Sequence, residues 1–180
     1  RLGCAPEELV FTSCGTEGDN WAVRAAAEYG RRKGRHIITT AVEHSAVLEP
    51  CKLLQQQGYE VTYLAPDKTG HVTAEQVAQA LREDTVLVSM MLVNNENGCR
   101  LPVENVFRMV KRNDPEIITH CDAVQGFLKI PFKPRTLCAD LVSVSGHKVH
   151  ALKGVGALYI RHGVRVKPIL CGSEQERGLR

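Results

Sequence analysis

Apolar positions along this chain keep switching between two spacings. Short runs that alternate or are apolar throughout predict strands, and longer stretches with apolar residues three or four apart predict helices. "EELVFTS" at 7–13 predicts a strand, and "TEGDNWAVRAAAEYGRRKG" at 16–34 a helix ended near Gly34. "RHIITTAV" at 35–42 is a second strand. In "SAVLEPCKLLQQQG", Pro50 fits only a first helical turn, so that helix is expected to start near Leu48, with Gly58 as its C-terminal cap. "YEVTYLA" at 59–65 is a strand and "DKTG" at 67–70 a turn.

Thr73 then caps a helix over 73–83 that turns Val77, Ala80 and Leu81 to one side. "DTVLVSMMLV" at 84–93 is so uniformly apolar that it predicts a strand buried on both faces. "PVENVFRMVKRN" at 102–113 is a helix opening on Pro102, and "EIITHCD", "ADLVSVS" and "GALYI" complete the strands. This alternation predicts an α/β fold: a mostly parallel sheet with helices on both faces.

Composition narrows the picture further. The 180 residues are 43% hydrophobic and 24% charged, as in an ordinary globular domain. A net charge of +3 is too mild for a nucleic-acid surface, and no basic run is interleaved with aromatics. Arg31-Arg32-Lys33 falls late in the first helix, where it serves the C-terminal dipole and solvent. No stretch has the roughly 18 consecutive apolar residues of a membrane span. The seven cysteines are scattered with no C-x-x-C pair, several inside predicted elements. That pattern suits reduced cysteines used as small hydrophobes, and points to a reducing cytoplasm.

In an open α/β sheet, ligands bind outside the carboxyl ends of the strands. There the unusual polar residues collect: Gly15-Thr16 after the first strand, His44 after the second and Asn95 after 84–93. Asp122 and Gln125 follow 117–121, and Ser145, His147 and Lys148 follow 140–144. Taken singly, each has a plain structural reading as a cap, a turn or a solvated strand end. Together they are complementary. Gly15 and Thr16 open a helix with backbone N–H groups and a hydroxyl for a phosphate, to which Ser145 and His147 can add donors. A buried amine such as Lys148 can attack a carbonyl. Asp122 can hold a pyridine nitrogen protonated, Asn95 and Gln125 can reach a phenolic oxygen, and His44 can stack on the ring. These are the parts of a pyridoxal 5'-phosphate site.

The same residues sit in motifs that resemble the cysteine desulfurases and selenocysteine lyases, in the class V aminotransferase group of fold type I enzymes. The resemblance runs through "FTSCGTEGDNWA", "VEHSAVLEPCKLL", "LVNNENGCRLPVENV", "HCDAVQGFLKIPF", "VSVSGHKVHALKGVGALYIR" and the terminal "GSEQERGLR". It implies a three-layer, cofactor-binding large domain over 1–180, a fragment lacking an N-terminal arm and a C-terminal small domain. It implies Lys148 as the Schiff-base lysine, Asp122 at the pyridine nitrogen, His44 as the stacking ring, and Asn95 and Gln125 at the phenolic oxygen. Gly15, Thr16, Ser145 and His147 form the implied phosphate cup.

The implied reaction removes sulfur from L-cysteine, giving L-alanine and an enzyme persulfide, within sulfur metabolism and iron–sulfur cluster assembly. Lys148 or His44 moves the α proton in that scheme. The sulfur-accepting cysteine and a carboxylate-binding arginine are expected beyond residue 180. A homodimer and a sulfur-acceptor protein are the implied partners. The alternatives are a selenocysteine lyase acting on L-selenocysteine, another class V enzyme, or a non-catalytic module that keeps the fold. Gly18, Asn97-Gly98-Cys99, the "VHALKGVG" segment and Gly172-Ser173-Glu174 depart from the family pattern. A dinucleotide-binding domain would need G-x-G-x-x-G after the first strand, and "SCGTEG" does not supply it.

Overall fold

A computed structural model of the chain describes every residue except Cys171, Ser173, Glu174 and Arg180. The GSE part of the terminal motif therefore lies largely outside the described residues. Strands β1 (Leu9–Thr12), β2 (His36–Thr40), β3 (Glu60–Leu64), β4 (Thr85–Ser89), β5 (Ile118–Asp122), β6 (Leu141–Ser145) and β7 (Gly156–Ile160) form one sheet in the order β1-β7-β6-β5-β4-β2-β3. Only β7 runs against its neighbours, pairing antiparallel with both β1 and β6. The other six strands thus end at one edge of the sheet, and β7 begins there. The predicted α/β class and mostly parallel sheet are borne out.

Helices α1 (Gly15–Gly30) and α2 (Ser45–Gln56) cover one face. Helices α3 (Ala74–Ala80), α4 (Val103–Asn113) and the short α5 (Pro134–Leu137) cover the other. Successive strand residues feed opposite cores, as the period of two requires. Ile37, Leu87, Leu141 and Leu158 pack under α1 and α2, while Ile38, Val88, Val142 and Tyr159 pack under α4. Helix α4 buries Val103, Val106, Phe107 and Val110, the i, i+3, i+4, i+7 stripe of an amphipathic helix. On α1, Trp21 is fully buried, and its indole N–H donates to the Lys167 carbonyl at 2.7 Å.

Two local expectations need correction. Helix α1 stops at Gly30, so Arg31-Arg32-Lys33 is a turn rather than a last helical turn, and Lys33 pairs with Asp114. Helix α2 begins at Ser45, three residues before the expected start, and carries Pro50 inside it. A proline there leaves the carbonyl four residues earlier without its helical donor. That carbonyl belongs to Ala46, and Asn20 Nδ2 of α1 donates to it at 3.2 Å while also donating to the Thr16 carbonyl at 3.0 Å. A tertiary hydrogen bond thus replaces the helical one, which sequence periodicity cannot reveal. Lys148 follows the strand end as expected: residues Gly146–Val149 form a single 3-10 turn closed by His150 in the left-handed conformation.

Thr73 does cap α3, accepting from the Gln76 backbone N–H at 3.3 Å in a reciprocal capping box. All six described cysteines are free thiols, and Cys51 and Cys121 are buried in the two cores as small hydrophobes. Among the described residues, no helix is long and apolar enough to cross a membrane.

Candidate active site at the carboxyl edge of the sheet

Where the parallel strands end, a cavity of about 320 Å³ opens, a volume suited to a small ligand. The structure brings every residue singled out from the sequence to its wall: Gly15, Thr16, His44, Asn95, Asp122, Gln125, Ser145, His147 and Lys148. Each arrives there for a local reason. Gly15 starts α1 directly after β1, and a Cβ at that position would lie 2.7 Å from Val124 Cγ2 and 3.3 Å from Ser145 Cβ. Glycine is thus needed for close approach, which brings the first turn of α1 against the ends of β5 and β6. The N-cap residue, Cys14, gives the first turn no side-chain bond. Backbone N–H groups at such a helix start favour an anion. Ser145 Oγ and His147 Nδ1 stand 2.8 Å apart beside it.

Gly15→Ala should therefore displace Val124 or the start of α1, at a cost of about 1–3 kcal/mol from overpacking. Denaturant titration should show that loss, and phosphate-ester binding to the cavity should weaken with it. An unchanged midpoint together with unchanged binding would contradict the packing argument.

His44 is the N-cap of α2, and its Nδ1 accepts from the Ala46 backbone N–H at 3.1 Å. An imidazole whose Nδ1 accepts carries its proton on Nε2 when neutral. Asp122 ends β5, is 5% exposed, and accepts from the Val124 N–H at 2.8 Å. Burial, with the nearby Asp19 carboxyl adding to it, raises Asp122 to about 7. Gln125 Oε1 takes a bond from Lys129 at 2.8 Å, and Asn95 is exposed on the cavity rim. Its neighbour Asn94 is the structural member of that pair, donating to the Val42 carbonyl and accepting from Glu96 and Asn97.

The sequence description of class V aminotransferases fits residues 2–178. The chain belongs to that family. It is a family of pyridoxal-phosphate enzymes, and the resemblance to its cysteine desulfurases is borne out. A cysteine desulfurase of Nostoc sp. (strain PCC 7120) is 50% identical over 179 residues, covering 99% of this chain and 44% of that protein. A solved NifS-like protein superimposes with a TM-score of 0.95 at 48% identity, over 99% of this chain and 49% of its own. A structure of SspA in complex with cysteine gives 0.93 at 40% identity, over 99% and 52%. The class V chain thus spans about half the length of these relatives.

Four further residues line the cavity of this class V chain without having been singled out: Cys14, Asp19, Met91 and Val124. Asp19 had a legible signal. It is a charged residue within the otherwise apolar and glycine face of α1 that buries Gly15, Gly18, Ala22 and Ala26. Cys14 had none beyond adjacency to Gly15, and of the six described cysteines it alone lines the cavity.

Proposed function

We propose that this chain is the cofactor-binding large domain of a pyridoxal-phosphate-dependent cysteine desulfurase, which takes sulfur from L-cysteine and leaves L-alanine. The observation that carries the reading is the convergence of an amine, a buried carboxyl, an imidazole and a helix start on one cavity. These groups fit the cofactor. The first turn of α1, with Thr16, Ser145 and His147, would hold the phosphate. Asp122 would pair with the ring nitrogen; a raised carboxyl with no cation bonded to it is suited to gain one. His44 would lie against the ring, Asn95 and Gln125 would reach its phenolic oxygen, and Lys148 would attach to its carbonyl carbon through Nζ. Bound there, pyridoxal phosphate would supply an electron sink for charge developing at the substrate α-carbon.

The cap of α2 bears on which residue moves the α proton. His44 Nδ1 is already an acceptor for the Ala46 N–H, so the neutral ring presents a proton at Nε2 instead of a lone pair. Acting as a base would require His44 to break its own helix cap. Lys148, in its single 3-10 turn, has no such obligation in its backbone role, which favours it as the proton carrier. The sulfur-accepting cysteine is proposed to lie outside residues 1–180, and a second copy of the protein and a sulfur-acceptor protein are the proposed partners.

The test is product analysis. Purified protein carrying this chain, supplied with pyridoxal phosphate and L-cysteine, should form L-alanine and a protein persulfide, and Cys14→Ser should keep both. Bound cofactor with no alanine from L-cysteine would overturn the desulfurase reading. Alanine from L-selenocysteine alone would reassign the enzyme as a selenocysteine lyase.

A further inference from the structure

Beneath the cavity lies a buried polar cluster that the roles assigned above leave unused. Asp19 is 1% exposed and lines the cavity together with Asp122, yet its Oδ1 has no hydrogen-bond partner. His120 and Asp122 are two apart on β5, so they project from the same face of the sheet, the face that α1 covers. His120 is fully buried, with Nδ1 2.8 Å from Ser89 Oγ and Nε2 3.1 Å from Ser143 Oγ. Asp19 Oδ1 stands 3.5 Å from that same Nε2. Gly18 permits the approach, because a Cβ there would lie 3.2 Å from Ser143 Oγ.

We propose that Asp19 is a positioning residue for Asp122: the two carboxyls share one proton, and Asp19 holds it when a cation meets Asp122. The purpose of the device rests on the pyridoxal-phosphate reading, but the shared proton is a property of the chain alone. Two carboxyls buried in one low-dielectric site cannot both ionise cheaply, so one stays protonated. The unpartnered Oδ1 identifies which. An ionised Asp19 would spread charge onto an oxygen with no donor, whereas a protonated Asp19 carries no charge that needs one. His120 offers no compensating cation, since burial holds it down to about 4 and hence neutral.

The other groups around Asp19 agree with this arrangement. Asp122 comes from the same strand as His120, and Glu43 follows β2; burial raises Glu43 to about 8, so it adds no full charge at neutrality. Cys14, His44, His147 and Lys148 line the cavity itself, and none is hydrogen-bonded to Asp19. Burial raises Asp19 to about 7, partly offset by the nearby Ser143 hydroxyl. With Asp19 neutral, Asp122 is the single negative charge presented to a ring nitrogen. With both ionised, the second charge would have no counterpart.

Carboxyl ¹³C chemical shifts, followed against pH in cofactor-free purified protein labelled at aspartate, test the coupling directly. Wild type should show two buried carboxyl titrations that belong to the pair, extending to near neutrality. In Asp19→Asn, the Asp122 midpoint should fall by about one pH unit or more. In Asp122→Asn, the Asp19 midpoint should fall by the same amount, because coupling is reciprocal. The second variant keeps the test usable if the first does not fold. A merely structural Asp19 would leave the Asp122 midpoint in place, and either midpoint unmoved by loss of the other carboxyl overturns the proposal. Failure to bind pyridoxal phosphate would instead strike the functional reading and leave these midpoints intact.

Discussion

Lys148→Ala protein should retain no covalently attached pyridoxal phosphate, and borohydride reduction should leave no modified lysine in the cavity. In wild type the reduced adduct should map to Lys148 by peptide mass spectrometry. Alanine formation from L-cysteine should fall by at least about 10²–10⁴-fold, the loss expected from removing one proton-transfer group alone. Attachment adds to that loss, because Lys148 is proposed to do both. Stability should move little, about 0.5 kcal/mol or less, because Lys148 is only half-buried in a 3-10 turn and caps nothing. That contrast makes the result diagnostic: chemistry is lost while the fold remains. An adduct at Lys129 or Lys153 would end the assignment, and Lys129 is already committed to Gln125.

The opposite pattern is expected at Trp21. Trp21→Ala should cost about 3–5 kcal/mol, from lost apolar burial and from the cavity left behind. For a chain of this size, that is a fall in Tm of about 6–20 °C. Part of the loss arises at Lys167, whose carbonyl gives up the indole N–H donor at 2.7 Å. Trp21→Phe should recover most of the apolar contribution and still lack the donor, placing it between the two. A Trp21→Ala midpoint within about 1 kcal/mol of wild type would mean that α1 is not held by its apolar face. The cavity would then have a less rigid wall than described.

Much of this architecture was legible from apolar spacing, for a physical reason: both faces of the central sheet are covered, so a strand such as β4 reads as an apolar run. The strand 84–93 is the clearest case, since Thr85–Ser89 is buried throughout. Helix α4 was equally plain, because one face meets the sheet and the other meets water. The site residues stood out because polar groups clustered where an apolar run stopped. What escaped depended on partners distant in sequence. Local rules put Pro50 in a first turn because they carry no trace of Asn20, which supplies a replacement bond from another helix. Asp19 lies outside the strand-end pattern because it enters the cavity from one turn along α1.

The Asn20 amide has a consequence that reaches past the local geometry of α2. One side chain holds the Thr16 carbonyl at the start of α1 and the Ala46 carbonyl at the start of α2. Those helix starts carry Thr16 and His44, which line one cavity and are proposed as opposite kinds of ligand contact. The span between the proposed anion cradle and the proposed aromatic wall is therefore gauged by a single planar group. Only the absence of an N–H at Pro50 leaves the Ala46 carbonyl free to take that group. An ordinary helix former at position 50 would make α2 a better helix and would compete with Asn20 for the same oxygen. A local imperfection in one helix is thus what keeps two helices in step.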